Sequence, residues 1–155
     1  MDTEYIDGRE QAAMIRRAMR QAFPAVTCWV KLRRYAGGAS IDVHYEPEVA
    51  GTVDPISGRC MPSIPNRRAV EAVVFPYAGG GFDGSIDLAY DDAAYVNEAG
   101  EVVGHASWGT AGSGGTVPAH DDAPTGRVRR VRFGARYVFV RPEPPYRVRQ
   151  QRRAA

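Results

Sequence analysis

Two periods of apolar and polar residues alternate along this chain, and the switches between them mark its elements. Between residues 9 and 23, Ile15, Ala18, Met19, Ala22 and Phe23 recur at i, i+3, i+4, i+7 and i+8, the apolar stripe of an amphipathic helix. Arg16, Arg17 and Arg20 fall off that stripe, toward solvent. Asp7 with Glu10 three residues on has the spacing of a capping box, and Pro24 stops the helix because it lacks an N–H to donate. The period then drops to two. In TCWVKLRR (27–34), Cys28, Val30 and Leu32 share a face; in ASIDVHY (39–45), Ile41, Val43 and Tyr45 do, with Ser40, Asp42 and His44 opposite. Between them, Tyr35-Ala36-Gly37-Gly38 supplies the permissive φ angles of a tight hairpin turn.

Residues 46–66 keep neither period; Pro47, Pro55, Pro62 and Pro65 with Gly51 and Gly58 predict an irregular surface insertion. Val70, Val73, Val74 and Tyr77 predict a second helix over 67–75, capped by Asn66 and ended by Pro76 and Gly79. SIDLAY (85–90) alternates again, AAYVN pairs with EVVGHAS across Glu98-Ala99-Gly100, and 107–126 is a loop by composition. In ARYVFVR (135–141), Tyr137 to Val140 are continuously apolar, as in a central strand covered on both faces. The expected class is α+β: an antiparallel sheet of about four to five strands with two helices packed on one face. One domain over 1–141 carries the insertion 46–66 and the flexible loop 107–126, and a basic tail occupies 142–155.

Charge sharpens this picture. The 155 residues carry a net charge of +2, but it is segregated. Residues 69–126 hold nine acids and no Lys or Arg, whereas 127–155 hold ten arginines and only Glu143. Alternating arginines on a strand can track phosphates, so Arg127, Arg129, Arg130, Arg132, Arg147, Arg149, Arg152 and Arg153 are the candidate nucleic-acid contacts. For 127–136 the expectation placed first is cross-strand pairing with Asp83, Asp87, Asp91 and Asp92; for 147–153 it is an exposed basic tail. Val128 breaks the parity of Val131 and Phe133, which predicts a bulge near Arg129-Arg130. No apolar run approaches the roughly 20 residues that span a bilayer, and the acidic start MDTEYIDGRE is unlike a secretory signal. The expected setting is the cytoplasm, with no membrane; oligomeric state is not encoded in any pattern here.

Candidate chemistry is sparse. Gly79 to Gly84 satisfies G-x-G-x-x-G, but a dinucleotide loop needs a strand before it and a helix after, and here a helix precedes and a strand follows. The glycines read instead as the end of a helix and a turn into the sheet. Two stretches are alike, YAGGASIDVHY (35–45) and YAGGGFDGSIDLAY (77–90), yet they join different kinds of element, so the likeness reads as one turn chemistry used twice, as scaffolding. His44, His105 and His120 share no metal-ligand spacing, and no nucleophile elbow surrounds any serine. Cys28, in an apolar strand, reads as a reduced, buried thiol. No cofactor is implied. An enzymatic reading would need Asp42 and Asp87, each opposite the aliphatic face of its strand, to share a pocket with a histidine.

Taken together, IRRAMRQAFPAVTCWVKLRRYAGGASIDVHY, VEAVVFPYAGGGFDGSIDLAY and the late RFGARYVFV resemble the large polyvalent protein-associated domain numbered twenty-nine in its series. Members have a first helix ending in Phe-Pro, a glycine hairpin before Ser-Ile-Asp-Val, a helix running into Gly-Gly-x-Phe-Asp-Gly-x-x-Asp and a strand shaped like F-G-A-x-Y-V-F-V. The resemblance covers about 9–45, 67–90 and 132–141, and places Phe82, Asp83, Gly84 and Asp87 on the family's motif. The insertion at 46–66, the Gly/Ser loop and the arginine tail depart from that pattern. The resemblance implies a protein of phages or conjugative elements whose activity is unassigned. The function expected is therefore a non-enzymatic accessory protein that binds nucleic acid or a nucleoprotein complex through its Arg-rich C-terminal region. The alternative is a protein-interaction module that contacts a host protein through the acidic region 83–122.

Overall fold

The first helix starts where its cap places it, behind a strand that the pattern did not announce. β1 (Thr3–Ile6) leads into α1 (Gly8–Ala22), whose N-cap Asp7 accepts a 2.9 Å hydrogen bond from the Glu10 N–H. The computed structural model describes residues 2–46, 52–53, 56, 60–61, 67–83, 88–109 and 120–142. After α1 come the hairpin β2 (Cys28–Tyr35) and β3 (Gly38–Tyr45), then the two-residue pair β4 (Thr52–Val53) and β5 (Cys60–Met61) inside the irregular insertion. α2 (Arg67–Val74) tightens into a 3₁₀ turn at Phe75–Tyr77, where Pro76 is tolerated. The remaining strands are β6 (Gly80–Asp83), β7 (Leu88–Asn97), β8 (Val102–Gly109), β9 (His120–Asp121), β10 (Val128–Phe133) and β11 (Tyr137–Arg141).

The α+β class is as expected. The strands, however, divide between two principal mixed sheets rather than forming one antiparallel sheet. The larger runs β1-β10-β7-β8-β9, with β6 also on β7; the smaller runs β11-β3-β2. Each contains one parallel pair, β1 with β10 and β11 with β3. These pairs join segments far apart in sequence, so no local periodicity reports them. One core lies between the sheets and the helices. It holds Met14, Ile15 and Met19 of α1, Val70 and Val74 of α2, Ile41, Val43 and Tyr45 of β3, and Val131 and Phe133 of β10. Arg16, Arg17 and Arg20 lie outside it, as the stripe predicts.

Several details depart from the pattern. β11 is an edge strand in which Val138 and Val140 are buried while Phe139 is 44% exposed, so the apolar run YVFV covers one face only. The strand buried on both faces is β3, where Ser40 and Asp42 are as buried as Ile41 and Val43. β10 runs in unbroken register with β7 and β1; the irregularity sits instead between Tyr95 and Val96 of β7, opposite β8. The glycines after α2 do not form a turn but are strand β6, paired with β7 from Gly80↔Asp91 to Asp83↔Leu88.

Gly79 explains the joint. β6 and β10 occupy successive stretches of the same edge of β7, and Gly79 sits where one hands over to the other. Its carbonyl accepts from Asp92 N–H at 3.1 Å, and its own N–H donates to the Ala135 carbonyl at 3.0 Å. A Cβ there would overlap the Phe133 carbonyl oxygen, so only glycine fits.

Candidate nucleic-acid interface

The arginines singled out by sequence go to different places. On β10 parity separates them: Arg130 and Arg132 share a face with Thr3 and Tyr5 of the neighbouring β1, and Arg129 lies on the other. Arg129 pairs with Glu4 at 2.9 Å, and the exposed Arg127 lies 3.6 Å from Glu98. Pairing is thus found at 127 and 129, with Glu98 and Glu4, while the side chains of Asp83, Asp87 and Asp91 lie outside what is described. Arg147, Arg149, Arg152 and Arg153 lie outside the described residues, as do Gly84 and Asp87. Phe82 and Asp83 are placed on β6, paired with Ala89 and Leu88.

A more concentrated basic surface lies on the smaller sheet. One face of β2, β3 and β11 packs on α1 and α2 through Val30, Ile41, Val43, Val138 and Val140. The other face presents Lys31 and Arg33 from β2 and Tyr137, Phe139 and Arg141 from β11, flanking Asp42 on the central strand. Arg33 and Arg141 reach across from either side to the Asp42 carboxylate, at 3.4 and 3.3 Å. They cover it, leaving Asp42 only 3% exposed while both guanidiniums remain half exposed. The Tyr137 and Phe139 rings stack at 6.2 Å and 28°, and the Arg141 guanidinium lies 5.8 Å from the Phe139 centroid. The face therefore carries three cations to one carboxylate, with aromatic rings among them.

This face runs into a cleft of about 490 Å³ at the junction with the larger sheet. Tyr35 and Tyr137 line it from one side, Tyr5 and Arg132 from the other, with Arg136 at the connection between β10 and β11. Both look-alike segments meet there: Gly37 and Gly38 of the first and Gly79 of the second, on either side of Phe133-Gly134. Tyr5 and Arg132 also line the adjoining groove with Arg130, so the basic, aromatic surface continues onto β1 and β10. A larger cavity of about 620 Å³ lies between α1 and the β7–β8 turn, but Glu10 and Glu98 line it with Arg17, Arg127 and Arg129, which suits an anion poorly.

No protein-family model matches the chain, and no curated protein or solved structure matches it significantly. Function must therefore be read from the surface itself.

The other candidate chemistry does not assemble. Asp42 and the strand that follows Asp87 belong to different sheets, so the shared carboxylate pocket does not form between neighbouring strands. Among the described residues no three His, Cys, Asp or Glu side chains could hold a metal together. His105 Nδ1 lies 2.9 Å from Asp92 Oδ2, and the Tyr95 hydroxyl donates to Asp121 at 2.7 Å. That hydrogen bond to a carboxylate raises the Tyr95 phenol pKa above its ordinary value. Burial pushes the Cys28 thiol up, only partly offset by Arg20 and Arg16, which makes it a poor nucleophile. No helix among the described residues is long and apolar enough to cross a membrane.

Sequence reasoning missed Tyr5, Tyr35, Tyr137, Phe139, Arg33, Arg136 and Arg141. The usable signal was the i, i+2 alternation Tyr137-x-Phe139-x-Arg141, masked because the intervening valines made the run look uniformly apolar.

Proposed function

We propose that this protein binds nucleic acid without carrying out a reaction on it, using the open face of the β2-β3-β11 sheet and the adjoining cleft. The observation that carries this reading is the interleaving of rings and cations, the exposed Tyr35 and Phe139 and the half-buried Tyr137 with Lys31, Arg33 and Arg141, on one surface of the sheet. Cations neutralise phosphates and release counterions, while rings accept bases on their faces. The arginines of 147–153 follow β11 in the chain after Pro142-Glu143-Pro144-Pro145-Tyr146 and make this end of the sequence strongly basic. An accessory role in a phage or conjugative element is the setting that the family resemblance adds, and the acidic N-terminal stretch without a long apolar run supports a cytoplasmic one. The acidic region is a weaker candidate for a docking face, since Asp92 and Asp121 are engaged with His105 and Tyr95 within the fold.

The intact chain is expected to retain a labelled oligonucleotide at about 50 mM salt and to lose it steeply by about 200 mM. Lys31→Ala should weaken binding across sequences and lower the salt slope by about one. Absence of any retention at the lower salt would refute the reading.

A further inference from the structure

Two exposed rings, Tyr5 and Tyr35, meet the half-buried Tyr137 at one cleft, and this narrows the class of nucleic acid. Three tyrosines from three strands, Tyr5 on β1, Tyr35 on β2 and Tyr137 on β11, line a space of about 490 Å³. That lies within the range of about 300–1,000 Å³ typical of small-molecule sites, enough for one base and its sugar. Tyr5 is 71% exposed and Tyr35 53%, an unusual cost for two large rings unless the surface is used. Arg132 and Arg136 stand at the same opening, and a guanidinium presents five N–H donors in a planar fork suited to phosphate.

Glycine also shapes this space: a Cβ at Gly134 would sit 2.5 Å from the Tyr5 hydroxyl oxygen, so the lack of a side chain there lets Tyr5 lie against the connection between β10 and β11. The amides of the second glycine segment are already spent: Gly79 and Gly80 N–H donate to the Ala135 and Arg136 carbonyls at 3.0 and 3.2 Å. A main-chain phosphate cradle is therefore not what this part of the cleft offers. Recognition falls to ring faces and guanidiniums.

Resting on the nucleic-acid reading above, we infer that the cleft holds one unstacked base of a nucleic-acid single strand among Tyr5, Tyr35 and Tyr137, with flanking phosphates on Arg132 and Arg136. A base inside a duplex is stacked and cannot enter such a space, so the duplex is excluded from the cleft by geometry.

The test is fluorescence anisotropy of the full chain with labelled oligodeoxythymidine, its duplex with oligodeoxyadenosine, and oligouridine of the same length. The single DNA strand is expected to bind about tenfold tighter than the duplex. Tyr35→Ala and Tyr137→Ala are each expected to weaken it about tenfold, and Tyr35→Phe, which keeps the ring, to restore it. Thermal melts of each variant identify loss of fold, and Tyr35→Phe provides the comparison that a merely structural role would not pass. Equal affinity for strand and duplex, or unchanged binding in both alanine variants, overturns the cleft while leaving the nucleic-acid reading in place. Failure to bind any of the three overturns the proposed function and the cleft with it.

Discussion

Tyr35-Ala36-Gly37-Gly38 and Tyr77-Ala78-Gly79-Gly80 are identical in letters and opposite in physics. In the first, the turn projects into solvent: Gly37 has φ +91°, and nothing lies within 4 Å of where its Cβ would be. Its tyrosine is exposed. In the second, Gly79 is wedged against the Phe133 carbonyl, and Tyr77 is buried beside Phe133 at 6.1 Å between ring centroids. Glycine is required twice for different reasons, once for a left-handed backbone angle and once for lack of a side chain. The two copies nevertheless border one cleft: Gly79 and Gly80 of the second are hydrogen-bonded to Ala135 and Arg136, and Tyr35, Gly37 and Gly38 of the first line the same space.

The largest effect should come from the second copy. Gly79→Ala forces backbone apart at the joint between β6 and β10 and should cost about 3 kcal/mol, the upper end for overpacking. Gly37→Ala meets open space and incurs only the left-handed penalty of about 1–2 kcal/mol. Denaturant midpoints of the two variants measure the difference directly. Equal losses would mean that the two turns are, after all, one device used twice.

A second prediction concerns what holds the buried copy in place. Gln11 of α1 is fully buried, and its amide donates to the Tyr77 and Ala135 carbonyls at 2.8 and 2.9 Å while accepting from Ala135 N–H at 2.8 Å. It ties the helix to both sides of the joint. Gln11→Leu keeps the volume but strands buried backbone groups, and should cost about 2 kcal/mol. Because Gln11 and Gly79 share Ala135 as a partner, the double variant with Gly79→Ala should lose less than the sum of the single losses. Strict additivity would show that the amide and the glycine act on separate structures.

These contrasts also show what was legible beforehand. α1 with its Asp7 cap, the β2–β3 hairpin and α2 could be read because each is set by neighbours within a few residues. The β7–β8 turn was readable for the same reason, with Gly100 at φ +81°. The division into two sheets was not, since β1 meets β10 more than a hundred residues away and neither strand's pattern names its partner. Gly80 and Gly81 hid a strand, because glycine contributes no side chain to any alternation. The proposed interface was legible only in part. The arginine count pointed to 127–153, whereas Arg33, Arg141 and the tyrosines of the proposed surface converge only through the parallel pairing of β11 with β3 and of β10 with β1.

The smallest effect tests the buried tyrosine of the second copy through pH. Burial raises the Tyr77 phenol pKa, with the Val102 backbone and Arg17 pulling against it and Glu101 adding to it. Tyr45 is raised by burial as well. A raised phenol holds its proton in the folded chain at a pH where the unfolded chain has released it. The folded state then binds more protons than the unfolded state, so stability falls as pH rises. The contribution is fully present below the ordinary tyrosine value of about 10 and is lost as pH climbs through the folded value above it. Tyr77→Phe removes one such group, so urea midpoints measured from about pH 9 upward should decline less steeply in the variant than in the parent, with the remaining slope carried by Tyr45 and Tyr95. Parallel slopes would mean that the second tyrosine ionises as freely folded as unfolded, and the contrast between an open and a buried copy would fail at its most local point.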